Sequence, residues 1–174
     1  MKKTFLFVLL IAGLKTPAQD FSLYEKRWYV NGTDSLPYRL LLPVNYNTNN
    51  KYPLIIVLHG SGERGNDNES QLTHGGKLFI RDDVRRDFPA IVVFPQCGRE
   101  ARWSREDYEG EATVPLKLTQ ELIEQLVKQY PVNKRQVYIG GLSMGGSGTY
   151  EIVARNPTLF AAAFPSSLSR CRQP

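Results

Sequence analysis

The pentapeptide Gly141-Leu142-Ser143-Met144-Gly145 sets one serine between two glycines, after a β-branched run from Gln136 to Gly140 and before a helical stretch. A serine hydroxyl is a weak nucleophile at neutral pH, and a tight strand-to-helix turn holds its Oγ clear of the sheet. Small residues on either side let strand and helix pass closely. A helix beginning at Met144 aims its first N–H groups and its dipole at the charge that forms on an attacked carbonyl oxygen. Ser143 is thus the candidate nucleophile and the Met144 N–H a candidate oxyanion donor. A second signal, His59-Gly60-Ser61-Gly62-Glu63-Arg64-Gly65, directly follows the apolar run Leu54 to Leu58. A loop in that position supplies the other oxyanion donor, here the N–H of Ser61 or Gly62.

An elbow serine of this kind is followed along the chain by its acid and then by its histidine. The only histidines, His59 and His74, both precede Ser143. The triad acid and histidine are therefore expected to be missing from this chain, and His59 is expected to be structural. Recruiting His74 as base would need a rearranged triad. Loss of one triad member can cost on the order of 10⁶ in turnover, so the 174-residue chain is expected to be nearly inactive by itself.

These residues need a scaffold, and the sequence supplies one. Tyr24 to Val30 and Leu36 to Leu42 read as strands joined at Asn31-Gly32, an antiparallel hairpin. Leu54 to Leu58, Ala90 to Phe94 and Val137 to Gly140 are nearly continuous apolar runs, the pattern of parallel strands covered on both faces. Leu118, Leu122, Ile123, Leu126, Val127 and Tyr130 recur at helical spacing, which predicts a helix over Leu116 to Tyr130 stopped by Pro131. Ser70 to Asp87 is expected to be partly helical, interrupted at Gly75-Gly76, and Gly146 to Arg155 to form the helix after the elbow. Strand and helix alternating in this way imply an α/β fold with a mostly parallel sheet and helices on both faces.

Met1 to Ala18 has the form of a secretory signal: Lys2 and Lys3, an apolar stretch from Phe5 to Leu14, and small residues at Thr16-Pro17-Ala18. The apolar run is shorter than the roughly 18 residues a membrane span needs, so export with cleavage near Ala18 is expected, leaving one domain over 19–174. Without Lys2, Lys3 and Lys15 the balance is 19 Lys and Arg against 17 Asp and Glu, which excludes a nucleic-acid-binding charge pattern. Arg81 to Asp87 mixes both signs and reads as a solvated helix end. Export would allow a bridge between Cys97 and Cys171. No metal-ligand spacing is present.

Together with Leu42-Pro43, Tyr52-Pro53-Leu54-Ile55 and Pro95-Gln96-Cys97 followed by Trp103, the two motifs resemble the secreted bacterial α/β-hydrolases of the dienelactone hydrolase, feruloyl esterase and polyhydroxybutyrate depolymerase type, some of whose relatives are labelled peptidases. The resemblance runs from Tyr38 to Pro165. It implies an α/β-hydrolase fold and hydrolysis of a small-molecule or polysaccharide-linked carboxylic ester, such as a plant-polysaccharide acyl or phenolic ester, through an acyl-serine intermediate without a cofactor. It also implies that Trp103 and Gln96 either touch substrate or pack, and that His74 lies near the cleft. A serine peptidase, or an exported protein that binds a carbohydrate or acyl ligand without turnover, are the alternatives. In such folds the acid and the histidine follow strands beyond Ala161 to Phe164, which here becomes a sheet edge. The tail Pro165 to Pro174 has no strand or helix period, as a frame change or early stop after Phe164 or Pro165 would leave it.

Overall fold

The computed structural model describes residues 21–105 and 110–166. The expected signal over 1–18 and the Cys97–Cys171 bridge, through Cys171, lie outside the described residues.

Six strands form one sheet: β1 (Glu25–Asn31), β2 (Asp34–Leu41), β3 (Tyr52–Leu58), β4 (Ile91–Pro95), β5 (Val132–Leu142) and β6 (Ala162–Ser166). Their order is β1-β2-β4-β3-β5-β6. β1 and β2 pair antiparallel around Gly32, whose φ of 61° suits the turn. β2 runs antiparallel to β4, and β4, β3, β5 and β6 are mutually parallel. The expected mixed sheet with an N-terminal hairpin is therefore present, in the topology of an α/β-hydrolase. The hairpin turn and the carboxyl ends of the parallel strands share one end of the sheet, since Tyr38 pairs with Pro95 and the N–H of Gln96 donates to Pro37.

The helices are α1 (Gly76–Phe79), α2 (Asp82–Asp87), α3 (Val114–Gln129) and α4 (Met144–Arg155). Thr113 caps α3, its hydroxyl accepting the N–H of Leu116 at 3.4 Å, with a proline in the first turn. Leu116, Leu118, Leu122, Ile123 and Leu126 of α3 enter the main core with Leu54, Ile56, Leu58, Val137 and Ile139. Each such side chain contributes roughly 1.5–3 kcal/mol on burial, which fixes α3 on that face. The mixed-sign segment forms α2, with Asp82 and Asp83 in its first turn and Arg85 and Arg86 in its last, the arrangement that suits the helix dipole.

Both faces of the sheet carry helices, as expected, though unequally: on β3 Leu54, Ile56 and Leu58 are fully buried, whereas Ile55 and Val57 are partly buried against the smaller cluster around Leu72, Val92 and Phe94. Among the described residues that face carries the short helices α1 and α2 and a 3₁₀ turn. One expectation needs correction: the last strand runs two residues past Phe164, because Pro165 and Ser166 pair with Gly141 and Leu142. β6 is the edge of the described sheet, and its residues 162–164 are exposed.

Candidate active site

Ser143 sits between β5 and α4 with φ 53° and ψ −113°. Among the described non-glycine residues only Asn45 and Asn68 share a positive φ, and asparagine tolerates that region while serine seldom does. Such strain costs on the order of 1–3 kcal/mol and persists only where the surroundings over-determine it. Here they do. The N–H of Ser143 donates to Ser166 of β6 at 2.6 Å, and its carbonyl accepts the N–H of Ser147 at 3.1 Å, opening α4. The two flanking glycines close the turn. A methyl group on Gly145 would lie 2.0 Å from the carbonyl oxygen of Leu58, and one on Gly141 2.4 Å from that of Gly145. Only glycine lets α4 approach the end of β3 this closely. Ser143 itself remains exposed.

Because α4 starts at Met144, the N–H of Met144 belongs to the first turn, which has no acceptor within the helix. The dipole of this 12-residue helix places partial positive charge at the same end. Further along α4, Gly148 lets the helix rest on Trp103; a methyl there would meet Trp103 Cβ at 2.4 Å.

The loop after β3 reaches the serine from the neighbouring strand position. A methyl group on Gly60 would lie 3.8 Å from Ser143 Cβ and 3.1 Å from Glu63 Oε2, so the serine and the Glu63 carboxylate flank Gly60. Ser61 and Gly62 follow on a 3₁₀ turn, both exposed, and nothing stands within 4 Å of the Cβ position of Gly62. Their N–H groups are thus on the loop that borders Ser143.

His59 anchors this loop from below. Its ring is buried; Nδ1 lies 2.6 Å from the Gly60 carbonyl oxygen, and Nε2 accepts the N–H of Cys97 at 2.9 Å. An Nε2 that accepts an amide proton carries none itself, so the ring is the neutral Nδ1–H tautomer. Burial lowers its pKa below the ordinary 6.5, opposed in part by the hydrogen bond to Gly60 and the charge of Glu63. With both nitrogens engaged, His59 is structural and takes no proton from Ser143.

Trp103 and Gln96 pack and position. Trp103 is fully buried, its indole N–H donates to the His59 carbonyl at 3.0 Å, and the two rings meet edge-on at 5.1 Å. Gln96 is also fully buried: Oε1 accepts the N–H of Asn68, and Nε2 donates to the Glu63 carbonyl and to Asp67 Oδ1. Both side chains are buried and hold these bonds within the fold. Asp67, although partial burial opposes it, is held well below the usual carboxylate range by bonds from Ser70, Glu69 and Gln96. His74 is exposed, with Nε2 3.4 Å from Glu63 Oε1.

Sequence reasoning passed over one carboxylate: the triad acid was expected to be missing, yet Glu151 follows Ser143. It is buried on α4, paired with Arg155 at 2.8 Å, and accepts the N–H of Arg105 at 3.2 Å. Arg155 also donates to the Gly110 carbonyl. Glu151 is therefore committed to tying the chain after Trp103 to α4, and its i, i+4 spacing to Arg155 was the signal available in the sequence.

Comparison with known proteins follows the same lines. The family model described as "Putative esterase" matches residues 33–173. The bifunctional acetylxylan esterase/xylanase XynS20E of Neocallimastix patriciarum is 30% identical over 115 residues, which is 66% of this chain and 16% of that protein. The probable feruloyl esterase C of Aspergillus flavus is 29% identical over 136 residues, 76% of this chain and 47% of that protein. The chain thus spans less than half the length of these relatives. The crystal structure of a thermostable esterase superposes with a TM-score of 0.77 at 33% identity, covering 83% of this chain and 41% of that one. The fluorophosphonate-binding serine hydrolase F of Staphylococcus aureus, 21% identical with a TM-score of 0.59 over 82% of this chain and 55% of its own, shares the fold. Among the described residues no helix is long and apolar enough to cross a membrane, and no cluster of His, Cys, Asp and Glu is arranged to hold a metal ion.

Proposed function

The chain belongs to the esterase family, and from that premise we propose that Ser143 is the nucleophile of a serine carboxylesterase. The observation that carries this is the strained turn at Ser143, φ 53°, held between β5 and α4 beside Gly60. Ser143 Oγ attacks the acyl carbon of an ester, the alcohol leaves, and water then releases the acid from the acyl-serine. The N–H of Met144 and that of Ser61 or Gly62 stabilise the oxyanion, the first with the help of the α4 dipole. No cofactor enters this reaction.

The proton of Ser143 needs an acceptor. His59 has both nitrogens engaged, and no hydrogen bond joins His74 to Ser143 among the described residues, so neither histidine is in place to take it. The 174-residue chain therefore holds the nucleophile and the oxyanion donors and turns over esters slowly by itself. The substrate class that fits the named relatives is an acetyl or feruloyl ester on plant polysaccharide, and the N-terminal segment 1–18 directs the protein to the cell exterior, where such polymers are met.

Covalent labelling with a fluorophosphonate tests this. The account expects slow labelling of one residue per chain, accelerated by imidazole as an external base, mapped by peptide sequencing to Ser143 and absent from Ser143→Ala. Saturable binding of an acyl or sugar ligand with no label at Ser143, even with imidazole present, would favour a non-catalytic binder instead.

A further inference from the structure

A concave feature lies at the same end of the sheet as Ser143. A cavity of about 420 Å³ opens between the β1–β2 hairpin, the segment after the 3₁₀ turn at Ser61–Glu63, and the start of α3. Its wall includes Trp28, a large aromatic ring left 54% exposed, with Val114, 52% exposed, also lining it and Leu36 buried beneath. Asp34, Ser35 and Asn66 line the same cavity. All three are exposed, and none of their side chains has a hydrogen-bond partner among the described residues. Asp34 is the only charged side chain of the lining.

We propose that this cavity binds a neutral sugar unit of a polysaccharide chain. An exposed indole face offers apolar contact area at little conformational cost, and suits the C–H face of a pyranose. Uncommitted hydroxyl, amide and carboxylate groups beside it can fix the hydroxyls at the ring edge, the usual division of labour in a ligand pocket. The single carboxylate disfavours phosphates, uronates and free phenolic acids, and without a cation nothing in the lining would hold an anion.

The position gives the cavity its use. Trp28 is on β1, four strand places from β5 across β2, β4 and β3, roughly 19 Å at the usual strand spacing. A chain lying along this end of the sheet can rest one unit on Trp28 while another presents its ester to Ser143. That shared use rests on the esterase reading; the sugar binding does not, so an ester-free ligand separates the two.

The test is titration of the full chain with xylohexaose, and in parallel with cellohexaose, followed through the indole N–H signals in two-dimensional NMR. Trp28 and Trp103 are the only tryptophans, and Trp103 is an internal control because it is buried. The expected result is a saturable shift of the Trp28 signal alone with a Kd on the order of 1 mM. Backbone signals of the hairpin should lose that response in Trp28→Ala and show at least severalfold weaker binding in Asn66→Ala, while Ser143→Ala binds as the unaltered chain does. Absence of saturation with either sugar, or equal binding by a cooperatively folded Trp28→Ala, overturns the proposal. Sugar binding without fluorophosphonate labelling of Ser143, even with imidazole present, would overturn the esterase reading and leave this site standing.

Discussion

The backbone N–H of Ser143 donates to the carbonyl oxygen of Ser166 at 2.6 Å. The strained residue is thus held by the far end of β6, and the parallel pairing of β5 with β6 continues into the turn itself. Ser143→Gly keeps this bond and removes the steric cost of a side chain at φ 53°. The variant is expected to gain about 1 kcal/mol, seen in a thermal melt as a Tm higher by about 2–4 °C, while losing fluorophosphonate labelling. A lower Tm would show that the turn is not under strain.

Close approach, rather than flexibility, explains Gly145. Gly145→Ala drives a methyl into the Leu58 and His59 carbonyls and should destabilise by about 3 kcal/mol or more, since backbone must move. Gly62→Ala, two residues beyond Gly60 and open on every side, should change stability by no more than about 0.5 kcal/mol. Urea denaturation of both variants checks the contrast, and equal losses would contradict it.

Trp103 is expected to behave as a structural residue. Trp103→Ala leaves a cavity under Gly148 and should cost about 3–5 kcal/mol. Trp103→Phe keeps most of the volume but leaves the His59 carbonyl without its indole donor, costing about 1–3 kcal/mol. Retention of full stability in both variants would mean that the ring is not part of the core.

The buried neutral His59 makes stability depend on pH. Its folded pKa lies below the ordinary 6.5 because burial disfavours the charged ring. Below about pH 6.5 the unfolded chain takes up a proton that the folded chain refuses, so stability is full above that pH and declines as the pH falls. The slope is about 1.4 kcal/mol per pH unit while the folded ring stays neutral. Chemical denaturation between pH 8 and 5 should show a decline that is smaller in His59→Gln, whatever that variant costs at pH 8. Parallel profiles would place the titration elsewhere.

Much of this was legible in the sequence where a local pattern and its tertiary use agree. Asn31-Gly32 marks the hairpin, the leucines before Pro131 mark α3, and Gly141-Leu142-Ser143-Met144-Gly145 falls between a strand and a helix. β5 was legible only from Val137, because the polar stretch Asn133 to Gln136 carries no strand pattern; Val132 pairs with Tyr52, and the ladder resumes at Leu54 and Val137 after a shift in register. Pro165 and Ser166 join β6 through backbone pairing, which no side-chain pattern records. The burial of Trp103 depends on Gly148, 45 positions away on α4, and that of Glu151 on the chain around Arg105. Neither partnership has a local signature.

Acylation of Ser143 tests the central claim most directly. The 174-residue chain would be incubated with p-nitrophenyl acetate, with and without imidazole as an external base, and its intact mass followed by peptide mapping. The account predicts slow transfer of one acetyl group to Ser143, accelerated by imidazole and absent from Ser143→Ala. Acetylation at other residues only, or an imidazole effect that survives Ser143→Ala unchanged, would contradict it.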